Sequence, residues 1–516
     1  MQRISHDRAH PLFNTAATRH IEQAAANALP PHTLMQRAGR ATARLAMALA
    51  PHARVVWIAC GPGNNGGDGL EAAMHLKRSG RQVIVTWLGL PGHAPPDALA
   101  SWQRAQAAGV QWADGAPEPL TAADLCIDAL LGIGVSSDTS DPARRSNERL
   151  LSCLRSLHNS PAPVLAIDLP SGLDADTGQF ANGFAPTALF AHVQRQHPLP
   201  QRHTLSLLTL KPGQFTATGR DSAGQVWFDD LGIDPGTAPP CAWLSGPAPS
   251  QPRLHNSHKG TYGDVVVVGG EGLAARGAGM GGAALLAASA ALHCGAGRVL
   301  VTLLDDGHHQ LDMQQPELMF RRFDALELAK LTVVCGCGGG EAVKRVLPEV
   351  ITRAARLVLD ADALNAIASD ARLQSLVKAR AACDQPTVFT PHPLEAARLL
   401  GTDASHVQAH RLNAATQLAA QFHCVVVLKG SGTVIANCAK VPHINPTGNA
   451  RLATAGTGDV LAGMVGAHLA AGTDAFCAAT SAVYAHGLTA DLWGDSSHRG
   501  SSTTLTASTL AQRLTS

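Results

Sequence analysis

Residues 445–449 read Asn-Pro-Thr-Gly-Asn, and shortly after them Gly456-Thr457-Gly458-Asp459 opens the apolar run Val460-Leu461-Ala462-Gly463-Met464. Gly456 and Gly458 let the backbone approach a ligand closely, and the free N–H groups of a helix's first turn suit phosphate oxygens. Asp459 is the odd member, because a carboxylate repels a bound phosphate. The chemistry that accommodates it is removal of a proton from a hydroxyl while nearby amides stabilise a phosphoryl group in transfer. This is kinase-like chemistry without a Walker lysine. On this string alone a helix N-cap aspartate after a flexible loop remains the alternative.

Further strings of the same kind precede it. Lys429-Gly430-Ser431-Gly432-Thr433 offers an ammonium and a glycine-shaped loop for phosphate, against the alternative of a solvated lysine. His392 stands between two prolines, as a surface histidine would. Asp360 and Asp362 are placed to cap a helix beginning near Ala363. Cys335-Gly336-Cys337 has one intervening residue and no second pair, so a structural or ligand-lining turn is favoured over a metal chelate. In the first half, Gly61-Pro62-Gly63-Asn64-Asn65-Gly66-Gly67-Asp68-Gly69 departs from the usual Gly-x-Gly-x-x-Gly fingerprint. Its two amides and carboxylate offer ligands for a polar head group or a hard cation, or capping groups for a tight turn. Asp128-Ala129-Leu130-Leu131-Gly132-Ile133-Gly134 and Asp168-Leu169-Pro170-Ser171-Gly172 each begin with a carboxylate.

These strings need elements to hold them. Short apolar runs at 55–59, 83–88, 125–127, 164–167 and 205–208 alternate with helical stretches, which predicts βαβ units and a parallel sheet. Three chemistry-rich loops directly follow three of these runs, and ligands of open parallel sheets bind outside the carboxyl ends of the strands, so the loops should converge. The first of them is expected to be a turn, with the helix beginning at Leu70. A second α/β series begins after Gln251, at 265–268, 299–304, 331–335, 357–359, 388–390 and 425–428. Between the series, prolines at 235, 239, 240, 247, 249 and 252 predict a linker with no persistent helix or strand. The expected division is a first domain over 1–228, a linker over 229–252 and a second domain over 253–516.

Composition narrows the class. A chain of 516 residues exceeds one core, and 45% apolar against 15% charged residues is globular. A net charge of +1 without a long basic run points away from nucleic acid and anionic membranes and towards small-molecule partners. Eleven scattered cysteines suit reduced thiols, residues 1–12 lack the apolar core of a signal peptide, and the most hydropathic window, 281–297, suits a buried helix. A cytoplasmic location is expected.

The first-half strings, with Leu34-Met35-Gln36-Arg37-Ala38-Gly39 upstream and Leu210-Lys211-Pro212-Gly213 downstream, resemble the NAD(P)H-hydrate epimerase domain, a Rossmann-like fold. That family interconverts the R and S forms of nicotinamide cofactors hydrated at C6 of the ring. The resemblance implies K+ held by Asn65, Asp128 and Ser171. It implies hydrate binding by Asn64, Asn65, Gly66, Gly67, Asp68, Gly132, Ile133, Gly134, Val135, Ser136, Ser137, Asp138 and Asp168, with Asp168 also the candidate for proton transfer. The stretch 135–141 departs from the family's more basic pattern. The second half, from His258-Lys259-Gly260-Thr261-Tyr262-Gly263-Asp264 to Asp459, is similar to the ribokinase-like ADP-dependent NAD(P)H-hydrate dehydratase of bacteria. Here Lys429, Gly430, Ser431, Gly432, Thr433 and Gly458 would hold the nucleotide. Ala283, Gly338, His392 and Asp459 would face the hydrate, with Asp459 as base and Mg2+ and ADP taking part. Leu394 and Cys337 depart from the glycine and proline usual at their positions.

Together the halves resemble the bifunctional NAD(P)H-hydrate repair enzymes, and a homo-oligomer is expected. A ribokinase-like vitamin-precursor kinase with a ligand-binding first half is the alternative, and a nucleotide-sensing scaffold is a third reading.

Overall fold

The structure, a computed structural model of the chain, describes residues 1–135, 147–189, 201–249, 254–493 and 504–514. It divides into one unit of Met1–Ser5 with Pro11–Ala242 and a second of His6–His10 with Trp243–Ser516.

In the first unit eight strands form one sheet. Its order is Gln2–Arg3, Gln225–Asp229, Arg202–Leu207, Val164–Ile167, Leu125–Ala129, Val55–Cys60, Gln82–Trp87 and Gln111–Trp112, and all neighbours are parallel except the first pair. Side chains of Val55–Cys60 alternate between faces: Val56 and Ile58 join a core with Leu70 and Leu76, while Trp57 and Ala59 join another with Leu154 and Leu157. The chain leaves Val55–Cys60 for Gln82–Trp87 on one side, and Leu125–Ala129 lies on the other. The order of strands therefore reverses between Val55–Cys60 and Leu125–Ala129, and a crevice opens at their carboxyl ends.

The sheet of the second unit runs Met319–Phe320, Arg298–Leu304, Asp264–Glu271, Thr332–Cys335, Arg356–Leu359, Thr387–Phe389, Val425–Leu428, Val434–Ala436, His443–Ile444 and Ala242–Leu244. It is parallel from Met319–Phe320 through Val425–Leu428, and its reversal lies between Asp264–Glu271 and Thr332–Cys335. Helices Gly281–His293 and Thr457–Ala470, almost wholly apolar, are buried against it.

Both sheets are thus the α/β architecture expected, with three differences. First, the helix of the first glycine string begins at Asn64, not Leu70. Its glycines serve packing: a Cβ at Gly66 would lie 1.9 Å from the Gly61 oxygen, and one at Gly67 would lie 2.9 Å from the Ala98 Cα. Secondly, the proline-rich stretch holds the strand Ala242–Leu244, parallel to His443–Ile444. The prolines flank Cys241 to Ser245 without entering it, so the strand's N–H groups remain available, and Trp243 N donates to the Pro442 oxygen at 2.8 Å. Thirdly, short strands such as Gln111–Trp112 and Met319–Phe320 are too brief to show a period.

Helix Thr457–Ala470 lies close to its neighbours because it has glycine where they meet. A Cβ at Gly463 would stand 2.0 Å from the Ala287 oxygen, and one at Gly466 would stand 2.5 Å from the Val334 Cγ2. Gly463→Ala gains about 1 kcal/mol of helix propensity but forces two backbones apart, which costs about 1–3 kcal/mol. A net loss of about 1 kcal/mol is expected as a lower urea midpoint. An unchanged or higher midpoint would mean the two helices part freely.

Candidate functional site

In the first unit the site is built at the reversal of strand order. Gly63 is the N-cap of helix Asn64–Arg78, which places Asn65 in its first turn and Asp68 one turn later. The Asn65 side chain lies against Gly132, whose Cβ would be 3.3 Å from that of Asn65, and its buried amide nitrogen Nδ2 has no partner among the described residues. Asp128, 4% exposed, accepts from Ser171 N at 2.9 Å, from Ser171 Oγ and from Leu130 N, and Ser171 Oγ also accepts from Leu131 N at 2.8 Å. Burial raises the Asp128 pKa despite these bonds. A buried carboxylate oxygen, a hydroxyl oxygen and, from Asn65, a side-chain amide oxygen come from three strand-end segments and are the donor types that suit a hard monovalent cation, which would offset the carboxylate's charge.

Asp168 follows Val164–Ile167 in the left-handed region, at φ 67°, a strained position for a residue other than glycine. Its carboxylate is paired with Lys211, which is fully buried and also donates to the Leu207 oxygen at 2.7 Å. Gln214 Nε2 donates to the Asp168 carbonyl at 2.8 Å, fixing the turn. Burial and then the Asp168 charge push the Asp68 carboxyl well above its ordinary range, and the same two causes raise Glu22. Lys211 and Glu22 were not singled out in the sequence. Lys211 lies inside a quoted string, but only the strand-end position of Asp168 identifies its partner. Gly132, Ile133, Gly134 and Val135 lie on the loop after Leu125–Ala129, whereas Ser136, Ser137 and Asp138 lie outside the described residues.

In the second unit Gly456, at φ 90°, starts helix Thr457–Ala470, and its oxygen accepts the first intrahelical bond, from Val460 N at 3.1 Å. The first-turn N–H groups are left without intrahelical acceptors. The Nε2 of buried His486 donates to the Thr457 oxygen at 2.9 Å, and burial lowers its pKa to about 4, which keeps the ring neutral. The 445–449 loop proves to be a scaffold: Thr447 Oγ1 donates to the Tyr484 oxygen at 2.8 Å, and Gly448 N and Asn449 Nδ2 donate to Asp491 at 2.7 and 2.8 Å.

Lys429, which follows Val425–Leu428, is not a solvated lysine. Its side chain is 20% exposed, and its Nζ donates to Asp360 Oδ1 at 2.7 Å. Burial alone would lower its pKa, but Asp360 and then Glu395 outweigh burial and raise it. A Cβ at Gly458 would be 3.3 Å from that ammonium, so the lysine and the helix N-terminus face one ligand space. The 429–433 loop is held by Arg411, fully buried, whose Nη2 reaches the carbonyls of Leu428, Lys429 and Gly432 at 3.2, 3.2 and 3.4 Å. Asp360 makes no capping bond to helix Ala361–Ala368, because its carboxylate is used by Lys429.

Gly338 and Ala283 lie side by side, a Cβ at Gly338 falling 3.0 Å from that of Ala283. His392 Nδ1 accepts from Leu394 N and Glu395 N as N-cap of Pro393–Leu400, leaving its Nε2 near Glu395 Oε1 at 3.2 Å. Burial and then Lys429 lower its pKa. Glu395 is 3% exposed and also accepts from His392 N at 2.8 Å. Burial raises it to about 7. Asp459 is likewise pushed up to about 7, by burial first and by Asp360 next, while Cys337 hydrogen-bonds it. Glu395 and Arg411 are the members that sequence reasoning missed, whereas Asp360 was expected only as a helix cap and Cys337 only in a structural or ligand-lining turn. Only Glu395 carried a usable signal, the capping-box spacing from His392.

Similar proteins agree with both halves. Residues 265–513 match the family described as NAD(P)H-hydrate dehydratase, and residues 31–213 match that described as YjeF-related protein N-terminus. The chain is 34% identical over 490 residues to the bifunctional NAD(P)H-hydrate repair enzyme Nnr of Escherichia coli K12, covering 89% of this chain and 85% of that protein. It is 31% identical over 497 residues to the Coxiella burnetii protein of the same description, covering 93% and 94%. The solved ADP/ATP-dependent NAD(P)H-hydrate dehydratase from Bacillus subtilis, co-crystallised with ATP and Mg2+, is 32% identical. The match covers 51% of this chain and 91% of that one with a TM-score of 0.40.

The carboxyls of Asp459 and Glu395 hold their protons more tightly folded than unfolded. The stability they contribute is complete below the ordinary carboxylate range and is lost as pH rises through about 7. Between pH 5 and pH 8 the unfolding temperature should fall less in Asp459→Asn and Glu395→Gln than in the unmodified protein, by a few degrees each. Parallel falls in all three would remove the burial argument for this site.

Proposed function

The chain belongs to the family of bifunctional NAD(P)H-hydrate repair enzymes, and from that premise we propose how its residues divide the work. The first unit epimerises R and S NAD(P)H hydrates, and the second dehydrates the S form at the expense of ADP, giving NAD(P)H, AMP and phosphate. The observation that carries the second assignment is a carboxyl poised near pKa 7, Asp459, at a glycine-opened helix N-terminus beside the Lys429 ammonium.

Asp459 takes the proton of the C6 hydroxyl, and the hydroxyl oxygen then accepts the terminal phosphoryl group of ADP. Lys429 and the amides around Gly458 offset the charge on that group as it passes. The ring nitrogen expels phosphate, forming an iminium, and loss of a C5 proton restores the dihydropyridine. Hydroxide is a poor leaving group and phosphate a good one, so phosphorylation makes the elimination feasible. Gly430, Ser431, Gly432 and Thr433 hold the nucleotide, while Ala283, Gly338 and His392 face the hydrate. Mg2+ is proposed to accompany the nucleotide's phosphates, since it prefers oxygen ligands and keeps part of its water.

In the first unit the C6 hydroxyl departs as water, an iminium remains, and water adds to the opposite face. Asp68, whose carboxyl burial and then Asp168 push well above its ordinary range, is the proposed donor to the departing hydroxyl. Asp168 accepts a proton from the adding water, and that proton returns to Asp68 through water to close the cycle. Asn65, Asp128 and Ser171 are the proposed ligands of K+, whose charge would fix the crevice loops. Residues 64–68 and 132–135 line the hydrate's side of the crevice on this reading, and Ser136, Ser137 and Asp138, outside the described residues, are proposed to bind the hydrate as well. The division at 229–252 is proposed as the point at which the two activities separate, and the protein is proposed to work in the cytoplasm as a homo-oligomer.

The test is recovery of reduced-nicotinamide absorbance from mixed R and S NADHX with Mg2+ and ADP, ATP or no nucleotide. Full ADP-dependent recovery is expected, and recovery that stops at the S fraction would demote the first unit to binding. Asp459→Asn should lose dehydration by about 10^2 to 10^4-fold and retain epimerisation, with Asp168→Asn showing the reverse. Equal dehydration by Asp459→Asn would refute the base assignment.

A further inference from the structure

Cys337, Asp360 and Asp459 come from three different elements: the loop after Thr332–Cys335, the end of Arg356–Leu359 and the first turn of Thr457–Ala470. Their sulfur and carboxylate oxygen atoms all lie within 4.8 Å of one another. Cys337 is fully buried and Asp360 is 2% exposed. It is the one such group of three metal-ligating side chains found among the described residues. Cys335, two positions earlier, belongs to the strand and takes no part, so this is not the Cys-x-Cys chelate that the sequence offers.

Burial raises the Cys337 thiol well above its ordinary pKa, so a metal ion bound here has to displace the thiol proton, and the charge count that matters is that of the occupied site. One ammonium, Lys429, is engaged with Asp360 at 2.7 Å, and Asp459 forms no ion pair among the described residues. A thiolate and two carboxylates carry three negative charges, and one ammonium with one divalent cation carries three positive charges. Tetrahedral zinc places neighbouring ligand atoms about 3.5 Å apart, so from 4.8 Å the side chains need close by only about 1 Å. Mg2+ is a hard ion that takes oxygen ligands, whereas a thiolate selects zinc-class metals.

We propose that Cys337, Asp360 and Asp459 form a binding site for a thiophilic divalent cation of the Zn2+ or Cd2+ class, and that its occupancy removes Asp459 from dehydration. The sulfur–hydrogen bond of Cys337 gives way to a sulfur–metal bond, and its proton is released to solvent without any redox change. Three protein ligands leave a fourth position for water. The binding part stands on the donor set alone, and the inhibitory part rests on Asp459 being the base proposed above.

The test is titration of chelator-treated full-length protein with Cd2+, following thiolate-to-metal charge-transfer absorbance. One equivalent is expected to bind with a band that Cys337→Ser lacks. Should Cys337→Ser fail to fold, Asp459→Asn keeps the thiol and should weaken that equivalent at least tenfold. An identical band in Cys337→Ser would assign the metal to other cysteines and overturn the site, as would the absence of a tight equivalent. Zn2+ added with excess Mg2+ and ADP should suppress dehydration and leave epimerisation unchanged. Full dehydration with the site occupied would overturn the inhibition. Failure of the base reading would appear separately, as undiminished dehydration by Asp459→Asn without metal.

Discussion

Each unit pairs a lysine with a mostly buried aspartate at the carboxyl end of a parallel strand, the fully buried Lys211 with Asp168 and the partly exposed Lys429 with Asp360. Breaking such a pair by removing one partner costs about 3–5 kcal/mol, yet replacing the whole pair with apolar groups is often neutral. Stability alone therefore gives no reason for either pair. Their effect is on neighbours: Asp168 adds to the burial that raises Asp68, and Asp360 helps to lift Asp459 while Lys429 opposes that lift. The lysine also fixes geometry. Lys211 ties Asp168 to the Leu207 carbonyl, and Lys429 leads the loop that Arg411 clamps by three backbone carbonyls.

The parallel sheet explains why these groups are where they are. Strands of one direction end on one edge, and where their order reverses the following loops separate, leaving a crevice lined by whichever residue comes first after each strand. Asp128 is the last but one residue of its strand and Asp168 and Asp360 each stand just past another, while Cys337 and Lys429 occupy the strand-end turns. Close packing at Gly66 and Gly463 then brings a helix N-terminus towards the same edge in each unit.

Much of this was legible in the sequence. Runs such as Val425–Leu428 and Val164–Ile167 match the observed strands, because fully buried parallel strands are continuous apolar segments. Asp168 and Asp459 could be singled out because a lone carboxylate beside glycines has few local uses. What sequence could not give was long-range pairing. Nothing local distinguishes the Asp360 that binds Lys429 from an N-cap, nor a buried Arg411 from a solvated one on a helix. The 64–69 string was misplaced because its glycines suggest a turn, whereas here they answer the tertiary demand of a helix pressed against Gly61, Met35 and Ala98.

On the proposed reading, the two sites set each other's value without any need for contact. Dehydration coupled to cleavage of ADP is strongly downhill, so it drains the S hydrate, and an epimerase works only towards equilibrium between R and S. Separately, the first leaves the R hydrate unrepaired and the second repairs none. Joined in one chain, the epimerase supplies S as fast as phosphorylation removes it, and flux is set by the slower step. A site whose base titrates near neutrality suits that role, because Asp459 is then ionised often enough to accept a proton and basic enough to hold it through phosphoryl transfer.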